Sequence, residues 1–174
     1  MITLSTDSSD STPPDVLDAT FDFVVVGDQL TFTVTNTTAW PADYLISAVY
    51  FNGTSNVTGL TLNTPVSGWT FETSKKADGF GVFDFALIDG VGTNPDQIFP
   101  GESVVFSFTI SGTATDIDFT TDLATTPPGD NPAIAVAKFQ SGPGGDSAFG
   151  AYIPTPGVGA VMLMGLAAGA RRRR

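Results

Sequence analysis

A chain of 174 residues is long enough for one domain and a tail, and its 41% hydrophobic residues, with 14 Phe, can form a core. The formal net charge of −11 disfavours binding to nucleic acid or to anionic lipid, because like charges repel. The chain has no Cys and no His, which excludes disulfides, thiolate chemistry and the usual zinc sites.

Residues 1–14 (MITLSTDSSDSTPP) form a polar segment that we expect to be disordered. This segment lacks the basic and apolar regions of a secretory signal. We expect a β-domain to follow at residues 15–140, and then a Gly- and Pro-rich tether at 141–157. The tether overlaps a distinctive tail at residues 153–174.

The clearest local pattern is a β-hairpin over residues 18–35. Apolar residues occupy every second position of both strands: Phe21, Phe23 and Val25 in the first, and Leu30, Phe32 and Val34 in the second. Gly27-Asp28 separates the strands and predicts a two-residue turn with a positive φ at its first residue.

Apolar runs or alternation predict further strands at residues 44–51, 57–62, 68–71, 80–88, 102–110, 113–120 and 133–139. Residues 44–51 are apolar on both faces and predict a central strand. In residues 113–120, Asp116 and Asp118 would share the outer face of a strand. Short strands separated by turns predict an all-β fold, an antiparallel β-sandwich of the immunoglobulin-like or jelly-roll kind.

Few residues of this domain suggest catalysis. Without His or Cys, a Ser-His-Asp or Cys-His nucleophile is excluded. A glycosidase needs two facing carboxylates, and the only glutamates are Glu72 and Glu102, which we place on a strand surface and at the start of a strand. Pairs of Asp stay open, but no nucleophile and base are visible, so we expect no enzyme.

Calcium is the one metal that the residue types allow. Asp116, Asp118 and Asp122 are weak candidate ligands, and Asp84, Asp89 and Asp96 could add oxygen atoms. The alternative is that these carboxylates lie on solvated strand faces or stabilise turns, which we favour, because no EF-hand spacing is present. We therefore expect no cofactor.

Two tryptophans are weak candidates for carbohydrate binding, because exposed aromatic rings serve as platforms for sugars. They are Trp40 and Trp69, and the alternative is that both belong to the core or its edge. Three Asn-X-Thr motifs begin at Asn36, Asn52 and Asn56, and they predict that these Asn lie in exposed loops.

The tail has three parts, an order that is unusual in a soluble domain. They are Pro154-Thr155-Pro156-Gly157, an apolar run at residues 158–170, and the cluster Arg171, Arg172, Arg173 and Arg174. Without these four positive charges, the rest of the chain has a net charge of −15, against −11 for the whole. As a helix the apolar run is about 20 Å long, short of the roughly 30 Å of a bilayer core.

This tail resembles the sorting signal of bacterial PEP-CTERM proteins, which combines a Pro-Glu-Pro motif, a short apolar helix and a terminal Arg cluster. Thr155 stands where the family's namesake motif has Glu. The resemblance implies export, temporary anchoring by a transmembrane helix with its arginines in the cytoplasm, and cleavage near Pro154–Gly157 by an exosortase. It implies nothing about the role of the domain.

Two functions of different class follow from these observations. The first is a non-enzymatic surface or extracellular-matrix protein, sorted through its tail, with the inner membrane, an exosortase and an exopolysaccharide as partners. The second is a carbohydrate-binding module with the same export signal. An exposed Trp40 or Trp69 would favour the second.

Overall fold

The computed structural model describes residues 1–5, 17–39, 43–90, 96–125, 132–141 and 147–153. These residues form an all-β domain of two antiparallel five-stranded sheets, as the alternating pattern predicts. The strands are β1 (Ile2–Ser5), β2 (Asp18–Val26), β3 (Gln29–Asn36), β4 (Leu45–Phe51), β5 (Val57–Leu62), β6 (Trp69–Ala77), β7 (Gly81–Asp89), β8 (Ser103–Gly112), β9 (Ala135–Gln140) and β10 (Ala148–Tyr152).

The first sheet has the strand order β1-β2-β3-β8-β5, and the second has the order β10-β9-β4-β7-β6. The sheets pack face to face as a β-sandwich, since one hydrophobic core contains residues of both. Strand β4 lies at the centre of the second sheet, and all seven of its residues are buried. This confirms the prediction of a central strand from its two apolar faces.

The predicted hairpin is confirmed in position and register. Strands β2 and β3 pair from Ala19–Asn36 to Val26–Gln29. Gly27 has φ = 64° in the turn between them, a conformation that a residue with a Cβ adopts at a cost. The pairing buries Phe21 and Phe23 of β2 and Leu30, Phe32 and Val34 of β3 on the inner face of the first sheet, whereas Val24 and Val26 are exposed.

Phenylalanine rings fill the space between the sheets. Phe23 and Phe32 stack with centroids 4.5 Å apart in the first sheet. Phe51 of the second sheet lies 4.8 Å from Phe32 and 5.4 Å from Phe85. These aromatic contacts add to the burial of apolar area that holds the two sheets together.

Two short strands lie within the segments that we expected to be a disordered lead and a tether, at Ile2–Ser5 and Ala148–Tyr152, and most of the rest of both segments lies outside the described residues. Ile2 and Leu4 of β1 are buried, and β1 pairs with β2. Within 141–157, β10 pairs with β9 and buries Ala148 and Ala151. Gly150 lets β10 approach closely, since a Cβ there would lie 3.0 Å from the ring of Phe139. The sequence pattern did not indicate this strand, because its residues are mostly small and the segment is rich in glycine.

The strand predicted at residues 113–120 is also wrong. Asp116–Phe119 is a 3-10 helix, preceded by Thr115 in an extended conformation. The Asp118 carboxylate accepts a hydrogen bond from the Thr115 backbone N–H at 2.8 Å, which competes with pairing in a sheet. The helix directs Phe119 into the core, where it stacks on Phe23 at 5.6 Å.

The distinctive tail lies outside the described residues from Pro154 onward, and so does its expected helix. Among the residues that the structure does describe, none of the helices is long and apolar enough to cross a membrane.

Replacing Phe106 by Ala should destabilise the domain by about 3–5 kcal/mol, because it leaves a cavity where Phe32 and Trp69 pack. Val105→Ala on the same strand is the matched control, since Val105 is 55% exposed, and its free energy of unfolding should change by less than about 1 kcal/mol. Denaturant unfolding of both variants measures the difference. Equal losses would contradict the position of the core.

Candidate functional site

The Asp118 carboxylate, in the 3-10 helix, accepts four hydrogen bonds from described residues. Its Oδ1 accepts hydrogen bonds from the Thr54 hydroxyl and from Asn56 Nδ2, the latter at 2.9 Å. Its Oδ2 accepts hydrogen bonds from the Thr115 backbone N–H at 2.8 Å and from the Thr115 hydroxyl at 3.0 Å. The Asp118 backbone carbonyl also accepts one from the Thr54 N–H. Asp118 thus joins the β4–β5 loop to the segment after β8.

These hydrogen bonds set the charge of the group. The hydroxyl of Thr54, followed by the backbone N–H of Thr115, lowers the pKa of Asp118 from 3.8 to about 2, although burial opposes the shift. The side chain is only 6% exposed. Asp118 is therefore ionised at neutral pH and held by donors on both oxygen atoms.

Both oxygen atoms of the Asp118 carboxylate are directed at hydrogen-bond donors. An Asn56 amide N–H and a Thr115 backbone N–H face the oxygen atoms that a calcium ion would need. These donors argue against Asp118 as a metal ligand. Its burial in a 3-10 helix corrects its placement on an outer strand face. The carboxylate serves the fold by closing two loops.

The other acidic candidates are dispersed. Asp116 Oδ1 accepts a hydrogen bond from the Val25 N–H at 2.6 Å, so it also connects two segments. Asp122 lies with Asp84 in a groove of about 560 Å³ at the open side of the sandwich. In the described part of the chain, no three acidic residues cluster in a way that could hold a metal ion.

The two glutamates do not meet in one site. Glu72 on β6 of the second sheet forms an ion pair with Lys75. Glu102 precedes β8 of the first sheet, and its Oε2 accepts a hydrogen bond from the Phe99 N–H at 3.4 Å. Asp89, at the end of β7, is buried and accepts a hydrogen bond from Gln97 Nε2 at 2.9 Å. These three carboxylates therefore contact different neighbours and do not converge on one site.

Trp69 belongs to the core, which corrects its candidacy as a sugar platform. It is 6% exposed, its ring packs edge-on against Phe106 at 5.5 Å, and its Nε1–H donates to the Asp96 carbonyl at 2.7 Å. A ring whose area is buried in this way cannot stack on a ligand. Trp40, the other candidate, lies outside the described residues.

Two of the three Asn-X-Thr motifs have a buried Asn, so the expectation of exposed loops is wrong for them. Asn36 is completely buried, and its Nδ2 donates to the carbonyls of Tyr44 and Ile98 at 2.8 and 2.9 Å. Asn52 is 3% exposed and accepts a hydrogen bond from the Asp84 N–H at 3.0 Å. Only Asn56 is exposed, and its side chain is bound to Asp118.

Sequence reasoning missed the partners of Asp118, which come from two distant segments. One local signal was available, because Thr115-X-X-Asp118 has the spacing of a capping box at the start of a helix. No sequence spacing indicates that Thr54 and Asn56 reach the same carboxylate across more than 60 residues.

Comparison of the chain with protein-family models, with curated proteins and with solved structures gives no match.

Asp118→Ala should lower the free energy of unfolding by roughly 2–3 kcal/mol, because it removes a charged acceptor and leaves buried donors without a partner. Asp122→Asn is the matched control, since Asp122 makes no hydrogen bond to another described residue, and it should be neutral. Denaturant unfolding at pH 7 tests both. A neutral Asp118→Ala would show that the four hydrogen bonds contribute no net stability.

Acid should erase the contribution of Asp118 in a defined pH range. Because the pKa is lowered in the folded state, the ionised group stabilises the fold above pH 3.8, and this stabilisation is lost as the pH falls toward 2. The stability difference between the native chain and Asp118→Asn should therefore be constant from pH 7 to 5 and shrink between pH 4 and 2. Unfolding curves at these pH values measure it, with Asp122→Asn as the control that should follow the native chain.

Proposed function

We propose that this chain is an exported, non-enzymatic surface or extracellular-matrix protein that is sorted through its C-terminal tail. The observation that carries the proposal is the order of three signals in residues 153–174: Pro154-Thr155-Pro156-Gly157, an apolar run, and four terminal arginines. In this proposal the apolar run forms a helix in the inner membrane and the arginines stay in the cytoplasm, so the domain lies outside.

The form of the domain supports this role. The last described strand, β10, lies at an edge of the second sheet. In this proposal, cleavage beyond that strand does not require the core to open. Removal of the tail would leave the two sheets and the Asp118 contacts intact.

The acidic composition supports a location away from anionic surfaces. With the arginines removed, the mature body carries −15, which favours solubility in an extracellular matrix over attachment to anionic lipid.

We place the domain among immunoglobulin-like or jelly-roll sandwiches, since strands β3 to β6 alternate between the two sheets, as such Greek-key connections do.

The proposal predicts a cleaved extracellular product. In a bacterium with an exosortase, intact-mass analysis of the extracellular fraction should find a chain that ends between Pro154 and Gly157. Pro154→Ala combined with Pro156→Ala should retain the full-length chain in the membrane fraction. Replacing Arg171–Arg174 by Gln should disturb the anchoring, since it removes the charges that hold this end inside.

The matched control is Lys75→Gln with Lys76→Gln, which removes two charges from the edge strand β6 and should be processed normally. A full-length cytosolic chain that retains Arg174 would overturn the proposal. So would equal processing in a strain that lacks the exosortase.

A further inference from the structure

Strand β5 has one free edge. It is the last strand of the first sheet, and among the described strands it pairs only with β8. The register pairs Thr61 with Thr109, and it continues to Asn63, whose N–H donates to the Ser107 carbonyl at 2.9 Å. In an antiparallel pair, every second residue of a strand forms hydrogen bonds with the neighbouring strand. The backbone N–H and C=O of Thr61 therefore face β8, and those of Leu60 and Leu62 face outward. No described residue bonds to these outward groups.

The other three sheet edges carry features that hinder further pairing. Strand β5 has a register shift between Val57 and Gly59, but it pairs regularly with β8 from Gly59 to Leu62. Strand β1 has four residues, and β10 has five and lies close to β1. Strand β6 carries Lys75 and Lys76 and a kink at Ser74, where φ is 54°. Strand β5 has six residues (VTGLTL) without a charge or a proline. Uncharged free edges are templates for pairing with another strand.

The groove beside β5 determines which chain fits. It has a volume of about 560 Å³ and is lined on one side by β5 and on the other by Thr73, Asp84 and Phe85 of the second sheet. Asp84 is exposed, and Asp122 is half-buried in the same groove. No Lys or Arg is among the described residues that line it. The groove is therefore negative, and it excludes an acidic partner by repulsion.

We propose that the β5 edge binds an extended, basic peptide segment of a partner protein, which adds as a sixth strand to the first sheet. Its backbone pairs with Leu60 and Leu62, and a Lys or Arg side chain reaches Asp84 and Asp122. A second copy of this chain fits less well, because antiparallel pairing of two β5 edges would bring four carboxylates together. This inference is independent of the export signal.

The probe is the capped peptide Arg-Thr-Val-Thr-Val-Thr-Arg, added to the ¹⁵N-labelled full-length chain. Amide exchange should slow at Leu60 and Leu62, which are free before binding, and stay unchanged at Thr61, which already bonds to β8. We expect this slowing to weaken at 0.5 M salt, because salt screens the attraction between the Arg side chains and the two carboxylates.

Charge variants test the specificity. Asp84→Asn with Asp122→Asn should weaken peptide binding about tenfold, whereas the charge-matched pair Asp28→Asn with Asp43→Asn, outside the groove, should leave it unchanged. A peptide with Glu in place of both Arg should not bind. Leu60→Pro should abolish binding, since it removes one outward N–H, and its unfolding curve verifies that the domain still folds.

Three results would overturn the inference. The first is no slowing at Leu60 and Leu62 with the peptide, and the second is equal binding of the Glu peptide. The third is protection of both amides without peptide, which would show that the edge is already occupied. If that protection grows with protein concentration, the occupant of the edge is a second copy of the chain. If it does not depend on concentration, the occupant is another segment of the same chain.

Discussion

The two sheets are held together by a cluster of aromatic rings, with Phe51 at its centre. Phe51, in the central strand β4, lies within 6.5 Å of Phe23, Phe32 and Phe108 of the first sheet, measured between centroids. It also lies 6.3 Å from Phe119 of the 3-10 helix. A completely buried Phe removes a large apolar area from water, and its offset and tilted neighbours fix how the sheets align. The 3-10 helix therefore packs through Phe119 against the ring of Phe51.

Buried polar groups then close the ends of the sandwich. Asp118 joins the β4–β5 loop to the 3-10 helix, and Asn36 joins β3 to Tyr44 and Ile98. Each forms hydrogen bonds with backbone donors or acceptors that would otherwise be buried without partners. A buried polar group without a partner destabilises the fold by about 1–3 kcal/mol. Asp118 and Asn36, which sequence patterns suggest as sites for a metal or a glycan, thus connect loops of the domain. Among the described residues, no cluster of carboxylates that could hold a metal ion forms at Asp118.

Proposed sorting and proposed binding occupy different parts of the molecule. The tail after Ile153 carries the export proposal, and the free edge of β5 carries the proposal of a basic partner. The two strands that contain these points, β10 and β5, are edges of different sheets. A domain released from its tail would therefore keep the β5 edge for a partner, because neither the pairing of β5 nor its groove involves β10.

The sequence alone determined the sheets that rest on repeating side-chain patterns. The β2–β3 hairpin, the buried strand β4 and the inner face of β8 follow from period-two alternation, which is a local property. Only the tertiary structure decided the rest. Strands β1 and β10 are short or rich in small residues and exist because neighbouring strands pair with them. Asp116–Phe119 is helical because Thr115 and Asp118 form hydrogen bonds with each other. Segments distant in sequence bury Asn36, Asn52 and Trp69. Burial depends on which segments meet, and no local pattern encodes that.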